Sequence, residues 1–141
     1  MLKRLLSTNP SQLVNLDVAI LILRVGAAIL ILTHGYPKLT NVLAGDMGFG
    51  DPLGLGPATS LILVTFAEFF CAVFILLGLG TRIASIPLII NTIVIAFVAH
   101  ADDPFSVKEK GLLFLVMFLV LFITGSGKYS LDGRLFGKNP R

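Results

Sequence analysis

Residues 16–38 read LDVAILILRVGAAILILTHGYPK. The run is almost continuously apolar for about 19 residues, the length a helix needs to cross a hydrocarbon core roughly 30 Å thick. It also carries Arg24 near its middle, His34 at its far end and Lys38 just beyond. A guanidinium near the bilayer centre costs about 2.5–3.5 kcal/mol on insertion scales. A residue that expensive should face protein or a water-filled cavity, and the rest of the chain can be searched for what receives it.

Composition agrees with a membrane reading. Of 141 residues, 55% are hydrophobic and 13% charged, and the mean hydropathy is +0.92. A soluble domain of this length could not hide so much apolar surface, so the chain is expected to be an all-α integral membrane protein forming one domain. The net charge of +3 does not point to nucleic acid; it is better read through where the charges sit relative to the bilayer. Cys71 is the single cysteine, so no intramolecular disulfide or cysteine-pair relay can form, and a small buried thiol is expected.

Four spans are expected, at about 16–34, 59–79, 83–99 and 107–124. Lys3 and Arg4 among leucines, then Asn9-Pro10-Ser11, suggest an interfacial segment and a turn ahead of the first span. The long apolar run, interrupted by Arg24, argues for a retained helix and against a cleaved signal. Gly35-Tyr36-Pro37 is expected to disturb the end of the first span, since proline disfavours helical geometry at the residue before it. Residues 40–58 hold five glycines and two prolines and read as a long outer loop without a phosphate-binding pattern. Thr59 or Ser60 fits an N-cap for the second span, and Ser106 with Glu109 fits a capping box for the fourth. Pro87 should loosen the start of the third.

Four spans put both termini on one side. That side holds Lys3, Arg4, Arg82, Lys128, Arg134, Lys138 and Arg141, against Lys38, Lys108 and Lys110 on the other. The positive-inside rule then places both termini in the cytoplasm. The basic tail suits an anionic lipid surface.

Counting 1.5 Å per residue brings Arg24, Glu68 and Asn91 to one middle layer. The expected arrangement pairs Arg24 with Glu68 and lets Asn91 satisfy the remaining valences. Such a layer is either a lock on helix register or a polar pocket for a headgroup, a quinone-like ring or a proton. A second cluster at the outer mouth comprises His34, Lys38, His100, Asp102, Asp103 and Glu109. Its spacing contains no HxH, HExxH or CxxC, so proton or ligand entry is favoured over a metal. No nucleophile–base spacing or flavin fingerprint supports catalysis by the chain alone.

Three stretches carry a resemblance: LRVGAAILILTHGYPKL (residues 23–39), EFFCAVFILLGLGTRIAS (68–85) and GSGKYSLD (125–132). In order and at four-span spacing, they resemble the DoxX family of small bacterial membrane proteins. The resemblance singles out Arg24, His34, Lys38, Glu68 and Arg82, with Tyr129, Ser130 and Asp132 in the tail. It implies redox-associated work, because the related DoxD subunit belongs to a thiosulfate:quinone oxidoreductase and a DoxX protein associates with superoxide dismutase and a sulfurtransferase. The leading expectation is a non-catalytic subunit near a redox partner, with a quinone or lipid as ligand. An interaction or assembly protein in a homo- or hetero-oligomer, and a small oligomeric transporter, remain as alternatives.

Overall fold

The computed structural model describes residues 13–137. The expected N-terminal interfacial segment, and Lys138 and Arg141 of the basic tail, lie outside them. All regular structure among the described residues is helical: α1 (Leu13–Ala44), α2 (Pro57–Leu77), α3 (Thr81–Ala99), α4 (Phe105–Thr124) and the short α5 (Leu131–Leu135). The first three are long and apolar enough to cross a membrane. Helix α4 has 20 residues, with Lys108, Glu109 and Lys110 gathered in its first two turns.

The helices pack on small residues. Ala27, Ala28, Ala67, Ala72 and Ala96 are buried with Ile75, Leu88, Phe118 and Leu121, the composition that lets membrane helices approach closely. Large apolar side chains cover the outside: Ile22 is 68% exposed, Ile83 76% and Ile123 71%. A surface that apolar is stable only against hydrocarbon.

Helix α1 does not stop near His34. It runs through Gly35, Tyr36 and Pro37 to Ala44, because membrane helices tolerate a proline whose freed groups are met locally or by neighbours. It ends at Gly45, in the left-handed conformation (φ 77°). The Gly45 and Asp46 amides donate back to the Val42 and Asn41 carbonyls, closing a Schellman motif. The connection is therefore shorter than the expected 40–58.

Helix α2 starts one residue after Gly56, with Pro57 in its first turn. Thr59 and Ser60 are not its cap; Ser60 Oγ donates to Asp51 instead. The turn Phe66–Cys71 is wound as a π-helix, as is Ile95–Ala99 at the end of α3. The expected capping box is also absent: Pro104 is the N-cap residue of α4, which has no side-chain cap bond. Proline presets the turn by itself, and the exposed Ser106 and Glu109 face water's competition for the same bonds.

Candidate functional site

The expected Arg24–Glu68 pair does not form. The Arg24 guanidinium, 2% exposed, donates through Nη1 to the carbonyls of Ile75 (2.9 Å) and Leu76, and through Nη2 to that of Tyr129 (2.7 Å). The reason is helix-end chemistry. The last carbonyls of α2 carry its negative dipole end and keep acceptor capacity, Ile75 beyond the single bond it takes from the Gly78 amide, so a cation there meets two needs at once. Ile75 lies seven residues beyond Glu68, or about 10 Å along the axis. The two side chains that residue counting placed at one height are thus at different heights.

The family-like tail completes this clamp. Gly78 ends α2 in the left-handed conformation (φ 69°), and a Cβ there would meet Ser130 Cβ and Arg24 Nη1. Asp132 accepts from the amides of Gly80 (2.9 Å) and Thr81 (3.4 Å), and its own amide donates to the Gly78 carbonyl. Ser130 caps α5, its Oγ accepting from the Gly133 amide and donating to the Gly127 carbonyl. Arg82 donates to the Ile123 carbonyl at the end of α4. Tyr129 contributes its backbone, while its exposed ring lies 6.0 Å beneath the Lys128 ammonium. Tyr129, Asp132 and Arg82 thus tie separate helix ends together, while Ser130 shapes the tail itself.

Glu68 finds its partners at the opposite end of the helices. Its carboxylate, 2% exposed, pairs through Oε2 with Lys38 Nζ (2.5 Å) and accepts through Oε1 from Asn91 Nδ2 (2.9 Å). The expected Glu68–Asn91 contact is present; Lys38 takes the place assigned to Arg24. This follows from the uninterrupted α1, which carries Lys38 one turn past His34 and lets its stem reach back, with a second bond to the His34 carbonyl (3.2 Å). Close backbone approach sets the distance. A Cβ on Gly35 would collide with the backbone of Glu68 and Phe69, so only glycine lets α1 sit on the π-helical turn. Such turns recur at functional sites.

A cavity of about 270 Å³ adjoins this group, lined by His34, Lys38, Glu68, Thr92, His100 and Lys110 with Ile31 and Phe114 among its apolar walls. His34 packs edge-on against Phe114 at 6.1 Å. His100 Nδ1 lies 2.6 Å from the exposed Asp103 carboxylate. The structure thus brings together His34, Lys38 and His100 of the expected mouth with Glu68, and it leaves Glu109 outside as an exposed residue. Lys110 and Thr92 were missed. No spacing announced them, because both reach the cavity from helices remote in sequence from His34 and Lys38. Among the described residues no group of three or more His, Cys, Asp or Glu is placed to hold a metal.

Comparison with known proteins gives two matches. The DoxX family model matches residues 19–101, a range holding Arg24, His34, Lys38, Glu68 and Asn91. The inner membrane protein YqjF of Escherichia coli (strain K12) is 35% identical over 126 residues, 86% of this chain and 95% of that protein. No solved structure matches significantly.

Proposed function

The chain belongs to the DoxX family, and on that premise we propose that it is an inner-membrane subunit, non-catalytic by itself, that holds the polar end of a quinone or lipid-like molecule beside a redox partner. The observation that carries this reading is the buried Glu68 carboxylate on a widened helical turn, bonded to Lys38 and Asn91 and bordering a cavity. A ligand carbonyl would accept from Lys38, and a ligand hydroxyl would donate to Glu68. His34 and His100 supply further polar contacts from the same walls. Convergent polar groups in an otherwise apolar cavity are the usual form of a small-molecule site, and ionisable groups at membrane depth mark function by default.

The membrane assignment rests on the apolar helices and on the similarity to an inner membrane protein of Escherichia coli. Four crossings with both termini cytoplasmic are supported by the length of α4, whose charges cluster at one end, and by the seven-to-three division of basic residues. The redox partner is drawn from the family resemblance.

The test is the molecule retained by protein extracted gently from native membranes, analysed by mass spectrometry. Wild type is expected to keep a quinone or lipid-like species, and Glu68→Gln and Lys38→Met each to lose it by at least tenfold while staying folded. Equal occupancy in all three, or none in any, would sink the proposal.

A further inference from the structure

A second cavity, of about 340 Å³, lies between α2 and α3 and shares only Asn91 with the Glu68 group. Its volume falls in the ~300–1,000 Å³ range of small-molecule pockets. Phe49, Pro52, Leu53 and Leu55 roof it, while Val64, Ala67, Ile90 and Val94 form its helical walls. Only two polar side chains line it, Ser60 and Asn91, and both are hydrogen-bonded elsewhere: Ser60 Oγ donates to Asp51 Oδ1 (2.9 Å) and Asn91 Nδ2 to Glu68. The rest of the lining is apolar side chain, against which a charged headgroup would lose its water without replacement.

The roof is a fixed one. Asp51 accepts from the amides of Leu55 (2.8 Å) and Gly56 (2.9 Å) as well as from Ser60, which draws the loop onto the start of α2. The open side is a slot between helices. Its rim is made by Leu63 (51% exposed), Phe66 (51%) and Ile90 (57%), on two helices long and apolar enough to cross a membrane. A cavity with this lining, opening on the outer face of two such helices, suits a flexible hydrocarbon chain, which gains from apolar contact and asks for no hydrogen bond. We propose that this cavity takes one acyl chain of a membrane lipid, entering sideways between α2 and α3, independently of the Lys38–Glu68 group.

The experiment reconstitutes the full chain in nanodiscs of phosphatidylethanolamine and phosphatidylglycerol containing a phospholipid with a diazirine near the end of one acyl chain. After irradiation, adducts are mapped by mass spectrometry. Adducts are expected on Val64, Ala67 and Val94. Filling the cavity with Val64→Phe and Val94→Phe should lower them at least fivefold without changing labelling of the exposed Ile83. The milder Val94→Leu, which adds a single methylene, should lower them about twofold. Glu68→Gln should leave them unchanged, which separates this site from the one proposed above. Labelling confined to exposed faces, adducts insensitive to filling, loss of adducts in Glu68→Gln, or a crosslink to a second copy of the chain at these positions would each overturn the proposal.

Discussion

Arg24 and Glu68 are both buried charges at membrane depth, and they are treated in opposite ways. Arg24 is consumed by backbone: three carbonyls from α2 and the C-terminal motif surround its forked donors. Glu68 is held by two side chains, Lys38 and Asn91, and one wall of its surroundings is open space. Those carbonyls are fixed on the backbone of two packed segments, whereas a lysine on a flexible stem can swing to a new partner. The first arrangement is suited to holding the ends of helices together, the second to admitting a ligand. Charge at depth is therefore not a sufficient sign of a site; what matters is whether the groups that neutralise it are free to move.

Substitutions can break this contrast. The largest effect is expected at Arg24→Met, which strips the donors from buried carbonyls and should destabilise the protein by about 3 kcal/mol or more. Arg24→Lys should rescue little, because one ammonium cannot reproduce a planar fork. Unfolding in mixed micelles by circular dichroism measures both. A lysine variant of wild-type stability would show the clamp to be simple charge placement. Next comes Gly35→Ala, whose added methyl meets the backbone of Glu68 and Phe69. We expect a loss of about 1–3 kcal/mol, accompanied by displacement of Glu68 and loss of the retained ligand. Unchanged ligand content in a stable Gly35→Ala protein would separate the close approach from the site.

The smallest effect concerns pH and the 45–56 connection. At Asp51 partial desolvation acts to raise the pKa, but the hydrogen bonds from Gly56, Ser60, Leu55 and Gly54 outweigh it and hold the carboxyl below its ordinary value of 3.8. A lowered folded-state pKa contributes stability that is fully present above the unfolded value and disappears as pH falls through the folded one. Hydrogen-exchange protection of the Leu55 and Gly56 amides should thus hold from neutrality down to about pH 4 and fall only below it. Protection lost near pH 6 would implicate a different group.

The four long helices were legible because apolar runs and glycine-rich breaks are features of composition. The Glu68–Asn91 contact could also be read, since both face inward at comparable depth. Three things could not. The acceptors for Arg24 are carbonyls, which every residue carries, so no residue type announces them. Pro37 reads as a helix end in water, yet the helix continues here, and this moved Lys38 from an outer mouth to the partner of Glu68. A widened turn has no sequence marker, so Gly35 could be seen as a glycine but not as the point where two backbones meet. The tail motif was recognisable by resemblance, while its work as a tie for the 78–80 turn needed coordinates.

The widened turn at Phe66–Cys71 leaves the facing of α2 intact. In a regular helix each residue advances the facing direction by about 100°, so positions seven apart return to nearly the same side. Leu61, Glu68 and Ile75 are spaced in this way and all three are buried. The inward stripe therefore passes through the π-helical winding unbroken, and a single face of α2 presents Glu68 to Lys38 at one level and the Ile75 carbonyl to Arg24 at another. Any redesign of this helix has to keep that seven-residue repeat, because losing it would disconnect both charges at once.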